Sequence, residues 1–482
     1  MALPQTGHPT ASSLSYLLPL YLLTAFTSSY AATSLPGTYF LAGLLPLGLL
    51  ALAEPIRSCR LLYVIIAAAL IVPPLYPSAL GGEVPIHISS LFVFVLSLMV
   101  LARPEIARLH WDSIGEAALF LFLALALSLP FAYWLSGLQV GMQSSLRFLL
   151  VLQPWLLYAW ICNTDGFAKD KQLSDIVRFL LIIGAVAATY GIIDFYFPFS
   201  FSHPFADQYI YLQGGKIRRA QGFFYEASSF GNMSAFFLTL SLLQLYRFRK
   251  GSSLLHLAAV LLLVGIFFAA LFFAYSRGSW ANALVTVCSF LILQRTLQIR
   301  KLAALLVLTV IFGFLLYQVS PQVVANFFEW RVANLLEFWN DPSFATSGRW
   351  ETWGRLITFF ADHPWLLVFG IGYKSLPYTD LFGANLIADN GFLSLAFETG
   401  IIGLAAFLNL NWVIFRSLHR TSQHQNSTIR CYATFMFAFW CGEMVQMMTG
   451  DIFTYWRNVI IYFALIAFVQ RLSRSERVLQ QI

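Results

Sequence analysis

Charged residues are scarce in this sequence of 482 residues, since only 11% are Asp, Glu, Lys or Arg while 59% are hydrophobic. Ordinary soluble domains contain about 25% charged residues. A soluble core of this size has no room for so much apolar surface, so the scarcity of charge excludes a soluble protein. It predicts a multi-pass membrane protein whose main solvent is lipid.

Cysteines and metal-ligand motifs are also sparse. The chain has five cysteines, none of them in the longest outer loop predicted below, so we expect no disulfide framework. The outer loops contain no Asp-x-Asp pair, no His-Glu-x-x-His motif and no His/Cys cluster. We therefore expect chemistry that needs neither a metal nor a cofactor.

Apolar runs long enough to cross a bilayer recur along the whole chain. They divide it into a transmembrane bundle at 1–319 with about eleven spans, an outer helical loop at 320–390, and a carboxyl-terminal part at 391–482 with about three spans. The predicted spans are 13–30, 37–53, 61–75, 88–102, 114–136, 144–161, 176–195, 225–246, 254–275, 279–294, 302–319, 391–415, 431–449 and 457–471. The expected fold class is an all-α, polytopic integral membrane protein with about 12 to 14 transmembrane helices and a large helical extracytoplasmic loop.

The basic residues set the orientation of this bundle, because Lys and Arg accumulate in short cytoplasmic loops. With both termini inside, most of the 29 Lys and Arg residues fall in inner loops. The net charge of +7 is then an orientation signal, and we expect no nucleic-acid partner. The cations left outside are Arg147, Lys216, Arg218, Arg219, Arg277, Arg331, Arg349, Arg355, Lys374 and Arg457.

A lone arginine at the end of a span usually snorkels toward the interface. Several arginines that converge on one hollow would instead bind a phosphate-bearing headgroup, because the guanidinium fork matches phosphate oxygens. Beside Arg277, the small residue Gly278 would let such a ligand approach the backbone closely.

The long outer loop contains two amphipathic patterns. Apolar residues recur with a helical period in "VVANFFEWRVANLLEFW" (323–339) and again in "RWETWGRLITFFADHP" (349–364). The second helix should end before Pro364, where His363 is expected to end or cap it. We expect both helices to lie on the membrane surface or to roof a cavity between the spans.

Four segments follow one another in a suggestive order: "SRGSW" (276–280), "SGRWETW" (347–353), "DHPWLLVFGIGYKS" (362–375) and "IADNGFLSLAFETGIIGL" (387–404). Together they resemble the successive signatures of the O-antigen ligase and polymerase superfamily, over roughly residues 220–415. The resemblance implies a GT-C-like membrane fold. It also implies transfer of a sugar chain from a polyprenyl (undecaprenyl) diphosphate carrier to an acceptor hydroxyl, at the outer face of the bacterial cytoplasmic membrane.

The resemblance also implies roles for particular residues. Arg277 and Arg349 would hold the diphosphate and stabilise the charge that develops as the sugar departs. Ligases of the family carry His where this chain has Asp389, followed by Asn390 with the family's spacing to two glycines. Asp389 can serve as a general base, or it can cap the helix that starts near Gly391. The Asp-Asn form is more similar to the polysaccharide polymerases of the superfamily.

Glu226 lies in "GFFYEASSFGN" (222–232), which looks like the "EPS-F" element of exopolysaccharide polymerases with Ala227 in place of Pro. Glu226 would contact acceptor sugar or orient an arginine, or else cap the next span while pairing with Arg218 or Arg219. Two further carboxylates, Glu398 and Glu443, fall inside spans, where each should pair with an arginine or face a wet cavity. The candidate substrate-binding residues are Arg218, Arg219, Glu226, Arg355, Lys374 and Asn390.

These patterns favour a metal-independent, inverting glycosyltransferase that polymerises lipid-linked oligosaccharide repeat units. An O-antigen ligase that transfers glycan to lipid A core is the alternative within the superfamily. A flippase for lipid-linked oligosaccharide would need repeat symmetry and midplane cations, whereas this chain has no visible repeat and carries its extra cations at outer loops. The expected partners are the polyprenyl diphosphate-linked oligosaccharide, an acceptor glycan or glycolipid, membrane lipid and a possible chain-length regulator.

Overall fold

The computed structural model describes residues 59–73, 87, 89–90, 92–93, 111–164, 170–197, 209–212, 215–224, 226–247, 253–294, 299–328, 339–341, 346, 348–383 and 386–481. The described part of the chain is helical apart from loops and one two-stranded hairpin. The predicted all-α membrane fold is confirmed. The predicted spans at 13–30 and 37–53 and most of 88–102 lie outside the described residues.

The helices follow one another along the chain with short connections. They are α1 Cys59–Ile71, α2 Ser113–Asn163, α3 Asp170–Tyr196, α4 Ala227–Tyr246, α5 Leu254–Phe273, α6 Arg277–Leu293, α7 Ile299–Val319, α8 Pro321–Phe327, α9 Arg349–Asp362, α10 Leu366–Phe369, α11 Gly391–Thr421, α12 Ser427–Gln446 and α13 Trp456–Gln481. The hairpin, β1 Tyr209–Leu212 and β2 Gly215–Arg218, is antiparallel and lies between α3 and α4.

Four described helices are long and apolar enough to cross a membrane: Ser113–Asn163, Gln172–Tyr196, Leu254–Phe273 and Gly391–Thr421. Other predicted spans coincide with shorter or less apolar helices, among them α4, α6, α12 and α13. The total of 12 to 14 spans stays a prediction. Leu254, Leu255 and Leu262 of α5 are exposed, as expected for side chains that face lipid rather than water.

The main core forms around α13, whose residues from Val459 to Val469 are all buried. Phe463 of this helix packs on Trp155 of α2, with ring centroids 3.9 Å apart, and on Trp440 of α12 at 5.5 Å. A helix that is apolar on every side must be surrounded by other helices. The carboxyl-terminal helix is therefore central to the bundle.

A second, smaller apolar cluster lies beside the bundle, and we call it the cover core. It contains Leu356 and Phe360 of α9 together with Leu366, Ile371, Leu376, Leu386, Ala388 and Phe397. The rings of Phe360 and Phe397 stack with centroids 4.5 Å apart. This packing fixes α9 against the first turns of α11.

Both long helices are broken at a glycine with positive φ. Gly137 (φ 83°) divides α2 near the boundary that the sequence predicts between the spans 114–136 and 144–161. Gly400 (φ 67°) divides α11 and so frees the carbonyls of Phe397 and Glu398, which accept hydrogen bonds from Ile371 N at 3.0 Å and Gly372 N at 2.9 Å. The two carbonyls that the break leaves free therefore hold the loop after α10 against α11.

The outer loop agrees in part with the sequence. Helix α9 ends at Asp362, with His363 at the C-cap position, so the predicted second helix and its end are confirmed. Of the predicted first helix at 323–339, α8 covers only the beginning, and 329–338 lie outside the described residues.

Candidate active site

The candidate site is built from the ends of several helices and the loops between them. Its cations are Arg219 after β2, Arg277 at the start of α6, Arg349 at the start of α9 and Lys374 after α10. Its acidic and phenolic groups are Glu226 before α4, Asp389 before α11, and Asp451 and Tyr455 between α12 and α13. The charges of these residues act on one another, so residues far apart in sequence share one locality.

Arg349 and Asp389 form an ion pair with Nε and Oδ2 3.1 Å apart. Their side chains are 24% and 47% exposed respectively, so the pair remains accessible to a ligand. Asp389 has a positive φ of 46°, a conformation that is uncommon for residues other than glycine and that recurs at functional sites. Beside the pair, Trp353 Nε1 donates to the Ala388 carbonyl at 2.6 Å and fixes α9 against this segment.

The alternative that Asp389 caps α11 is wrong. The N-cap is Asn390, whose Oδ1 accepts hydrogen bonds from the backbone N–H groups of Phe392 and Leu393, both at 3.1 Å. The Asn390 side-chain oxygen therefore satisfies the helix terminus. This releases the neighbouring Asp389 for Arg349.

Arg277 is half-buried at the first position of α6, directly after the N-cap Ser276. The positive charge of Arg349 acts on it, so the two cations lie near each other. Like charges repel at short range unless an anion lies between them. The role that the sequence suggested for Gly278 is wrong, because a Cβ there would overlap Thr449 Oγ1; this glycine serves close packing against the end of α12.

Arg219 joins the hairpin to the end of α5. Its Nε donates to the Ala274 carbonyl at 2.9 Å, and the next backbone N–H, of Ala220, donates to the Phe273 carbonyl at 2.9 Å. Burial lowers the pKa of Arg219 to about 10; Tyr455, Glu226 and Asp389 oppose this shift, and Arg349 adds to it. The Arg219 side chain therefore contributes positive charge to the same locality.

Glu226 occupies the N-cap position of α4 without capping it through its side chain. Its Oε2 accepts a hydrogen bond from Ser228 Oγ at 3.0 Å. Burial raises the pKa of the Glu226 carboxyl; Asp389 and Asp451 raise it further, whereas Ser228 and Lys374 oppose the shift.

The predicted side-chain cap by Glu226 and its pairing with Arg218 are wrong. Arg218 instead bonds to the buried Asp194 at the end of α3, with Nη2 and Oδ2 3.1 Å apart. That ion pair anchors the hairpin to α3.

Lys374 is buried and has a positive φ of 55°. Its Nζ forms an ion pair with Asp451, and the backbone N–H groups of Lys374 and Leu376 bond to the Glu398 carboxylate. Burial lowers the pKa of Lys374, but the nearby carboxylates, above all Asp451, outweigh this effect and raise it overall. Glu398 is thus satisfied by backbone amides and a lysine, and the predicted arginine partner is wrong.

Sequence reasoning missed Asp451 and Tyr455. Asp451 caps the short helix Ile452–Tyr455 by accepting from Phe453 N at 2.9 Å. The sequence does contain a signal for Asp451. This acidic residue directly follows the predicted span 431–449, so the predicted topology places it on the same side as the outer cations. Tyr455 has no comparable signal among 21 tyrosines.

Arg355, by contrast, does not join the other candidate residues of the site. It lies six residues after Arg349 on α9, which rotates it by about 240° around the helix axis, and its side chain is exposed. Its role in substrate binding stays a prediction. Among the described residues, no group of three or more His, Cys, Asp or Glu is arranged to hold a metal ion.

Beneath Arg277, a buried polar network joins α4, α6 and α12. Glu443 Oε1 accepts from the side-chain amides of Asn232 at 2.6 Å and Asn282 at 2.7 Å. Gln446 Oε1 accepts from the same two amides at 3.0 Å, and Gln446 Nε2 donates to Ser279 Oγ at 3.1 Å. The predicted arginine partner of Glu443 is wrong, because neutral amides bind this carboxylate.

Replacing Glu443 by alanine is expected to destabilise the protein by about 2 kcal/mol or more, since two buried amides would lose an acceptor. Glu443→Gln retains the Oε1 acceptor and replaces Oε2, which has no hydrogen-bond partner. The glutamine variant should therefore remain near wild-type stability. Thermal unfolding of the detergent-solubilised protein measures both, and equal loss in the two variants would contradict this account.

These features define an all-helical membrane protein with a cluster of arginines, a lysine and carboxylates where several of its helices begin or end. Residues 258–408 match the family model described as O-antigen ligase. The match confirms the resemblance to the O-antigen ligase and polymerase superfamily that the sequence motifs indicated. It includes Arg277, Arg349, Lys374 and Asp389, whereas Arg219, Glu226 and Asp451 lie outside it. A search of curated proteins found no match to the chain.

Proposed function

We propose that this protein is an inverting, metal-independent glycosyltransferase that polymerises lipid-linked oligosaccharide repeat units at the outer face of the bacterial cytoplasmic membrane. The match to the O-antigen ligase family supports a ligase- or polymerase-type activity on lipid-linked oligosaccharide and glycan substrates. The donor in this proposal is a polyprenyl diphosphate-linked oligosaccharide, and the acceptor is the free end of a second glycan.

The observation that carries the proposal is the proximity of Arg277 and Arg349. They come from different elements, both lie in the region that matches the O-antigen ligase family, and the charge of one acts on the other. Their repulsion would be relieved by a bound diphosphate, whose oxygens suit guanidinium groups. Arg219 and Lys374 add positive charge nearby.

Such an arrangement favours the transition state of glycosyl transfer. When the bond between the anomeric carbon and the diphosphate breaks, negative charge grows on the departing phosphate oxygen. Cations already held in position by the fold stabilise that charge without reorganisation. In this proposal the Asp389 carboxylate holds the Arg349 guanidinium, at 3.1 Å, until the donor arrives.

Polymerase is favoured over ligase by two features of the sequence. Asp389 stands where ligases of the family carry His, and the segment around Glu226 looks like the element found in exopolysaccharide polymerases. A carboxylate-rich site beside the cations would suit a sugar acceptor, whose hydroxyls donate hydrogen bonds to carboxylates.

Reconstitution of the full chain into liposomes with lipid-linked oligosaccharide tests the proposal. A ladder of lengthened glycans on the lipid carrier supports polymerisation. Transfer to added lipid A core, without a ladder, identifies a ligase. Unchanged glycan that becomes accessible on the opposite leaflet identifies a flippase and refutes the proposed enzyme.

A further inference from the structure

Two carboxylates of the candidate site, Asp389 and Glu226, have different partners. Asp389 bonds to the Arg349 guanidinium, whereas the hydrogen bond to Glu226 comes from the neutral hydroxyl of Ser228. The Asp389 carboxylate is therefore held by the guanidinium that would bind the donor, whereas the Glu226 carboxylate is held by a neutral group. The Asp389 and Glu226 carboxylates therefore suit different roles in the site.

We infer that Glu226 is the general base that takes the proton from the acceptor hydroxyl, and that Asp389 is a positioning residue for Arg349. This inference rests on the proposed glycosyltransferase function. It reverses the assignment that the family's spacing suggests for Asp389, because that residue is engaged by the guanidinium that would hold the donor.

The surroundings of Glu226 fit a base that is held in one orientation. It lies directly before the first turn of α4, and Ser228, which donates to its Oε2 at 3.0 Å, is itself hydrogen-bonded to the Tyr455 hydroxyl. In many enzymes a catalytic residue is oriented by a hydrogen-bonded neighbour, which is itself held by a third group. Ser228 and Tyr455 thus form a short chain behind the carboxylate.

The charged and titratable neighbours come from every element that meets Glu226. They are Arg219, Lys374, Asp389, Asp451 and Tyr455. Burial raises the pKa of Glu226 above its ordinary value of 4.5, and Asp389 and Asp451 act in the same direction. A carboxylate with a raised pKa accepts a proton more effectively near neutral pH.

The proposed step balances in atoms and charge. The acceptor oxygen forms a bond to the anomeric carbon while its proton passes to a Glu226 oxygen. The bond from the anomeric carbon to the diphosphate breaks, and its electron pair leaves with the polyprenyl diphosphate, which Arg277 and Arg349 hold. Glu226 then releases the proton to water.

Rate measurements on the reconstituted full chain as a function of pH test this division of roles. In the wild type, the rate should fall at acidic pH as Glu226 becomes protonated, with a midpoint above 4.5. Glu226→Gln should lower kcat by about 10²–10⁴-fold, abolish this acidic limb and leave the KM for the donor within about threefold. Asp389→Asn should mainly raise the donor KM and retain the acidic limb. Glu351→Gln removes an exposed carboxylate from α9 and serves as the matched control, with unchanged kinetics.

Three results would overturn the inference while leaving the glycosyltransferase proposal intact. The first is a Glu226→Gln variant with near wild-type kcat, and the second is a Glu226→Gln variant whose rate still falls at acidic pH. The third is a Glu226→Gln variant that no longer binds the donor, which would mean that Glu226 has a structural role. An acidic limb lost in Asp389→Asn alone would return the base to Asp389. A wild-type chain that transfers no glycan refutes the proposed function itself.

Discussion

Replacing Arg277 or Arg349 by alanine is expected to lower the rate of glycan transfer by about 10²–10³-fold, the usual cost of removing one group that stabilises a developing anion. Arg277→Lys should restore only part of the rate, because an ammonium cannot form the paired contacts of a guanidinium with phosphate. Because both arginines act on one diphosphate in the proposed mechanism, the double variant should lose less than the product of the single losses.

Arg420→Ala is a suitable control for these variants. Arg420 is exposed in the last turn of α11, at the opposite end of that helix from Asp389. Initial rates at varied donor concentration, with equal amounts of folded protein, provide the measurement. Full activity in Arg277→Ala or Arg349→Ala, or strictly multiplicative losses, would contradict a shared diphosphate site.

Gly400→Ala is expected to have the largest effect on folding. Its φ of 67° costs an L-residue roughly 1–2 kcal/mol, and a Cβ at this position would overlap the Val368 carbonyl. Separation of these backbones would also break the hydrogen bonds from Ile371 and Gly372 to the freed carbonyls of α11. Together these losses amount to about 3 kcal/mol or more, and much of the variant should fail to fold.

Gly354→Ala is the matched control for Gly400→Ala, because Gly354 lies inside α9 with nothing within 4 Å of a built Cβ. An alanine there favours the helix by roughly 0.5–1 kcal/mol relative to glycine. Size-exclusion profiles and thermal unfolding of both variants give the comparison. If Gly400→Ala elutes as a single folded species with wild-type stability, the close contact between α11 and the loop after α10 does not govern folding.

The sequence predicts individual helices better than their partners. Apolar period and length identified α4, α5 and α6 within a few residues, and the start of α11, because hydrophobic runs are local signals. The choice between Asp389 and Asn390 as the cap was not local, since both side chains can cap a helix. It was decided by Arg349, forty residues earlier, which binds the carboxylate and leaves the amide to the helix.

The same limit applies to the buried carboxylates. A charged residue inside a span predicts some partner, and arginine is the obvious expectation. The partners of Glu443 are asparagine side chains on two other helices, and hydropathy carries no information on which helices face each other. Asp451 could not be recognised from the pattern of Lys and Arg residues, because that pattern does not indicate which anions neutralise them.

The cover core and the main core meet along the candidate site. Arg349 and Asp389 are carried by segments that pack into the cover core, whereas Arg219, Glu226 and Arg277 are carried by segments that pack on the main bundle. The buried pair between Lys374 and Asp451 links the two sides. Because the cover core is much the smaller, we expect mild detergent or heat to separate the two sides of the candidate site while the bundle keeps its helices. Loss of catalysis would then precede any change in circular dichroism, and inactivity alone would be a poor sign of a denatured preparation.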